Sequence, residues 1–177
     1  MRIATDSRPR RLRAADAARS WPLRGNLARE GLGRRGRAAR GGYWPAMSQE
    51  NLDFVLASYE WGNREQRLAA DWWHADGEYV NAREDADHGT YRGIAAIEGL
   101  FASWIEAYPD VRAHPIEARE NGDQVFVWVR FSGRGAASGM PLDMEMAHVI
   151  TLENGRIRRL EEYFDRAEAL AAAGLGE

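Results

Sequence analysis

Residues 143–165, DMEMAHVITLENGRIRRLEEYFD, alternate apolar and polar side chains so regularly that a pair of strands is the natural fold for them. Met144, Met146, His148, Ile150 and Leu152 fall on one face, and Asp143, Glu145, Ala147, Val149 and Thr151 on the other. That two-residue period marks a half-buried strand. Asn154-Gly155 supplies the turn, since both residues tolerate positive φ. His148 breaks an otherwise Met, Ile and Leu face, so it needs a hydrogen-bond partner or a polar cavity. The return arm offers Glu161, Glu162 and Asp165.

Which carboxylate His148 meets depends on register. A two-residue turn pairs Glu153 with Arg156, sets His148 opposite Glu161, and turns Arg159, Glu161 and Tyr163 inward. A three-residue loop with a bulge at Gly155 pairs Leu152 with Arg156, sets His148 opposite Leu160, and turns Leu160, Glu162 and Phe164 inward. The second is expected. Each buried large apolar side chain gains about 1.5–3 kcal/mol, whereas an unpaired buried charge costs several kcal/mol. Glu162 is then the carboxylate inside, diagonal to His148 and within reach of a direct or water-bridged contact.

Upstream, Leu52, Val55, Leu56 and Tyr59 recur at helical spacing from Ser48 until Gly62-Asn63. A second short helix is expected over 64–73, then a turn at His74–Gly77, a short strand at Glu78–Asn81 and a polar loop over 82–90. Ile94, Ile97, Leu100, Phe101, Trp104, Ile105 and Tyr108 form the stripe of a third helix, which Pro109 ends. A strand at Val111–Arg119 leads through Asn121-Gly122 to Gln124–Ser132, which is apolar on both faces. Such a strand is covered on both sides, by the domain or by a partner. A loop over 133–141 precedes the hairpin, and a short Ala-rich helix over 166–174 closes the chain. Helices followed by antiparallel strands give an α+β domain.

Charge divides the chain in two. Residues 1–46 hold twelve Arg against Asp6, Asp16 and Glu30, while residues 47–177 hold the other twelve Arg against 24 carboxylates. The first stretch has few large apolar residues and no sustained periodicity, so it buries too little to offset its ordering entropy. No h-region follows its early arginines, which argues against a secretory or twin-Arg signal. A transit peptide or nucleic-acid-binding arm fits an Arg-rich start, but a disordered tail or an overcalled start before Met47 is the stronger reading. The expected domain is 47–177, cytoplasmic, with no membrane or nucleic-acid partner. Cys is absent, which excludes disulfides, thiolate nucleophiles and Cys-based metal sites. No cofactor is expected.

Four stretches in order, HADGEYVN, TYRGIAAIEGLFASWIEAYPDVR, DQVFVWVRFSG and HVITLENGRIRRLEEYFD, resemble a nuclear transport factor 2-like domain of the SnoaL-like branch. The resemblance covers about two thirds of the chain, from about Met47 to Asp165. It implies a cone: a curved, mostly antiparallel sheet around three helices with an internal pocket. It also implies polyketide cyclases, ketosteroid isomerases, limonene epoxide hydrolases and scytalone dehydratases as relatives, so the fold leaves function open. A ketosteroid isomerase mechanism is disfavoured, because the positions of its two carboxylates fall on Ala82 and Ala147. SnoaL-like cyclases resemble a different arrangement, which maps onto His148 and Glu162 as a proton-transfer pair. Tyr59, Trp104, Met146 and Phe164 are the expected ligand-binding residues around a small hydrophobic molecule.

Asp85, Asp87 and His88 are read as a solvated loop rather than a metal site, and His74, Asp76 and Glu78 as capping or surface groups. Three functions stay open: a small-pocket cyclase, isomerase, dehydratase or epoxide hydrolase; a non-catalytic ligand-binding protein; and a dimerisation module. A homodimer through the outer sheet face is expected, because Phe126, Trp128 and Arg130 would otherwise leave an aromatic patch in water.

Overall fold

Leu52, Val55 and Tyr59 direct one face of the first helix, α1 (Ala46–Glu65), onto the sheet, and Val55 is fully buried. The computed structural model describes residues 46–86 and 88–176; apart from Ala46, the Arg-rich stretch expected as a tail lies outside the described residues. α1 does not stop at Gly62-Asn63. The Asn63 side chain instead acts like a strand edge: Nδ2 donates to the Ala113 carbonyl at 2.7 Å and Oδ1 accepts the Ala113 N–H at 2.8 Å. Those bonds offset the roughly 1 kcal/mol that Gly62 costs inside a helix. The second helix expected over 64–73 is replaced by a reversal at Gln66, whose φ is 50°, and one 3-10 turn (Ala70–Trp72).

The strands follow as β1 (Trp73–Val80), β2 (Thr90–Arg92), β3 (Arg112–Asn121), β4 (Gln124–Arg134), β5 (Pro141–Glu153) and β6 (Arg156–Tyr163). Two further helices, α2 (Ile94–Ala107) and α3 (Arg166–Ala172), complete the order. β1 takes in the residues expected as a turn, and β2 comes from the end of the expected loop. The six strands form one curved mixed sheet in the order β2-β1-β6-β5-β4-β3, in which only β1 and β6 pair in parallel.

β4 separates two cores. Val125, Val127 and Val129 join Val55, Ile97 and Leu100 on the inner face, under α1 and α2. Phe126, Ala147 and Val149 face outward, where Ala169, Leu170 and Ala173 at the C-terminal end cover them. Phe126 is therefore buried by its own chain, and the aromatic patch that motivated a dimer is smaller than expected. The Trp128 indole N–H donates to Glu145 at 2.9 Å, and Arg130 is paired with Asp143 at 2.6 Å.

The hairpin adopts neither expected register throughout. Asn154 (φ 50°) and Gly155 (φ 72°) make a two-residue turn that pairs Glu153 with Arg156 and Leu152 with Ile157. Arg158 then bulges out of β6, its guanidinium 3.0 Å from Asp76, and the pairing resumes at Thr151 with Arg159. The bulge thus lies at Arg158 and not at Gly155. It restores the expected inner set, with Leu160 and Glu162 buried, but places His148 directly opposite Glu162 rather than opposite Leu160. Phe164 departs from expectation. β6 ends at Tyr163, the chain turns so that the Asp165 carboxylate accepts the Glu168 N–H of α3 at 2.8 Å, and Phe164 is left 38% exposed. Among the described residues, no helix is long and apolar enough to cross a membrane.

Candidate active site

Between the inner sheet face and the helices lies a cavity of about 150 Å³, walled chiefly by apolar and aromatic groups. An apolar cavity of about that size takes a benzene-sized molecule. Tyr59 and Trp61 of α1, Phe101 and Trp104 of α2, Phe131 of β4 and Leu160 of β6 form its walls, with Trp72 and Trp73. Aromatic contacts brace it: Tyr79 meets Phe101 edge-on with ring centroids 5.8 Å apart, and Trp104 leans on Phe131 at 6.2 Å. Met146, expected to touch ligand, is buried in the adjacent core and is not part of the wall; Phe164 is outside it.

His148 and Glu162 both reach this cavity and are both buried. The Tyr59 hydroxyl lies 2.7 Å from His148 Nδ1, which ties the imidazole to α1. His148 Nε2 has no hydrogen-bond partner. It lies 4.0 Å from Glu162 Oε1, too far for a hydrogen bond. Nor is this an ion pair, because burial lowers the imidazole pKa from 6.5 to about 3 and keeps the ring neutral. In the tautomer in which Tyr59 donates to Nδ1, the ring proton sits on Nε2 and points an uncharged donor at whatever occupies the gap; the acid–base chemistry proposed for the site uses this tautomer.

Glu162 is held from both ends. The Tyr79 hydroxyl donates to Oε1, and the Ala82 N–H donates to Oε2 at 3.3 Å. Burial raises the carboxyl pKa above its ordinary value; the bonds from Tyr79 and Ala82 pull it back only in part, and the nearby Asp85 charge adds to the rise. The carboxyl is thereby tuned to hold and release a proton closer to neutral pH than a surface Glu.

Tyr79 and the Ala82 N–H were not foreseen as site groups. Parallel pairing brings Tyr79 beside Leu160, and parallel neighbours far apart in sequence leave no local signal. Gln66 was also missed. Its Nε2 donates to the carbonyls of Asn63 at 3.0 Å and Val111 at 3.1 Å, while its Oε1 is buried without a partner at the cavity wall. The positive φ of Gln66 is its one unusual backbone feature. Among the described residues no three His, Asp or Glu side chains converge as metal ligands; Asp87 lies outside them, and His88 Nδ1 is 3.0 Å from the Asn81 carbonyl. Asp76 forms a surface ion pair with Arg158, whereas Glu78 is largely buried between Arg92 and Arg159.

The profile of the SnoaL-like domain matches residues 55–160. The phenazine biosynthesis protein PhzA1 of Pseudomonas aeruginosa is 33% identical over 98 residues, which are 52% of this chain and 60% of that protein. The chain thus matches less than two thirds of that relative's length. Among solved structures, a protein of Jannaschia sp. CCS1 assigned as a SnoaL-like polyketide cyclase superposes with a TM-score of 0.60 at 18% identity, over 77% of this chain and all of that one. TerC co-crystallized with polyporic acid superposes with a TM-score of 0.56 at 26% identity, over 70% of this chain and 97% of that one.

Proposed function

Because the chain belongs to the SnoaL-like domain family, we propose that it seats one ring of a small apolar molecule in the cavity and performs general acid–base chemistry on it, of the cyclase, isomerase or dehydratase type. The observation that carries this reading is the partnerless Nε2 of a neutral, buried His148 facing the buried Glu162 carboxyl, whose Oε1 lies 4.0 Å away. A ligand carbonyl oxygen in that gap accepts the Nε2–H. The Glu162 carboxylate takes a proton from the adjacent carbon, the C–H electron pair moves toward the oxygen to give an enolate, and the donor on His148 stabilises the developing charge. Glu162 then returns the proton at a second position. Tyr59 fixes the imidazole, and Tyr79 fixes the carboxyl. The ligand bound by TerC and the biosynthetic role in the name of PhzA1 support a small-molecule substrate.

One observation favours a second reading, ligand binding without catalysis. Tyr79 and Ala82 already occupy both oxygens of Glu162, as they would for a purely structural carboxyl. Acetophenone labelled with deuterium on its methyl group separates the two, because proton NMR reads wash-out of the label directly. The unaltered protein should accelerate wash-out, Glu162→Gln should lose about 10²–10⁴-fold of that acceleration, and His148→Ala a large part of it. Acceleration that survives Glu162→Gln contradicts the acid–base assignment. Binding with no wash-out puts the binding reading in front.

A further inference from the structure

Glu162 belongs to the walls of two cavities. One is the apolar ligand cavity. The other, of about 220 Å³, is polar and is bounded by Asn81, Arg83, Glu84, His88 and Glu161. The two carboxyl oxygens have different partners. Oε1 holds Tyr79 and faces His148, whereas Oε2 accepts the N–H of Ala82, the residue that follows Asn81. Asn81 is 4% exposed, and its Oδ1 has no partner within the protein. A buried acceptor on the wall of a polar cavity is ordinarily satisfied by water. On the ligand side Glu162 meets Tyr79 and His148, and a ligand that fills the cavity takes the space that a file of waters would need there.

We propose that Glu162 exchanges its proton with solvent through this polar cavity, behind the ligand, and not through the ligand cavity. A water on Asn81 gives a proton to Oε2 and takes one from bulk water or buffer; a half turn about Cγ–Cδ presents the new O–H to the ligand side. After proton abstraction the same steps run in reverse. The route rests on the acid–base reading above and adds to it a way of resetting the carboxyl while the ligand stays bound.

Difference infrared spectroscopy of the full chain, switched from H₂O to D₂O, follows the protonated carboxyl band that disappears in Glu162→Gln. Asn81→Leu should slow the isotope shift of that band by at least about tenfold, an added barrier of about 1.4 kcal/mol. Asn81 is buried, so Glu84→Trp on the exposed loop serves as a second plug and should act in the same direction. Gly62→Phe fills the ligand cavity instead: a Cβ there meets nothing within 4 Å, and exchange should be unchanged. Slowing by Gly62→Phe, with neither polar-cavity variant acting, overturns the route and leaves the acid–base reading intact. Absence of any Glu162-dependent protonated band above pH 4.5 overturns both.

Discussion

His148 shows how one residue on an apolar face acquires function from burial. Its imidazole is neutral because water is excluded, so the folded state binds its proton only near pH 3 while the unfolded chain binds it near 6.5. Below about 6.5 the unfolded chain takes up the proton first, so stability is lost as pH falls toward about 3, at about 1.4 kcal/mol per pH unit. Glu162 works from the other side. Its folded pKa is raised above 4.5, so the unfolded chain releases the proton first and stability is lost as pH rises through that folded pKa. Urea unfolding at a series of pH values should show His148→Leu removing the loss of stability between pH 6.5 and about 3, and Glu162→Gln removing the loss that sets in as pH rises above 4.5. Parallel curves for the variants and the unaltered protein would show that neither group is held in its unusual state.

At the scale of elements, the hairpin decides whether the site exists. The alternation of β5 and the need to bury Leu160 made the inner face legible in the sequence, Glu162 included. The bulge was not legible, because Arg156, Arg158 and Arg159 look alike to any pattern argument, and the choice of Arg158 rests on its contact with Asp76 in β1. β2 is three residues long and escapes periodicity altogether. Apart from the second helix and β2, the order of the elements was readable, as were both faces of β4, whereas Tyr79 depended on the parallel β1–β6 pairing. Gly155→Ala should cost about 1–2 kcal/mol through its left-handed backbone alone, since a Cβ there meets nothing within 4 Å. Deleting Arg158 removes the bulged residue and leaves Thr151 opposite Arg159 and His148 opposite Glu162, with Leu160 and Glu162 still inside. Thermal unfolding should record a drop of several degrees for Gly155→Ala and a cooperative transition retained after the deletion of Arg158. Loss of that transition on deletion would contradict a bulge at Arg158.

For the whole molecule, α3 supplies the cover that a partner was expected to supply. Leu170→Ala should cost about 2–5 kcal/mol, because the side chain is 1% exposed over the outer core. We propose that any homodimer uses the part of the outer face beyond α3, around Trp128, with the Arg130–Asp143 pair at its rim. Sedimentation should show Trp128→Arg converting a dimer to a monomer; an unaltered chain that is monomeric at micromolar concentration contradicts the proposal. The account as a whole turns on the protonation of the two groups that face each other inside the cone. One NMR titration, of protein carrying ¹⁵N-histidine and ¹³C-labelled glutamate carboxyls, reads both. The account predicts a His148 ring that stays neutral with its proton on Nε2 well below pH 6.5, and a Glu162 carboxyl that titrates above its ordinary value. A His148 that takes up its proton near 6.5, or a Glu162 that loses its own at the usual 4.5, would contradict it.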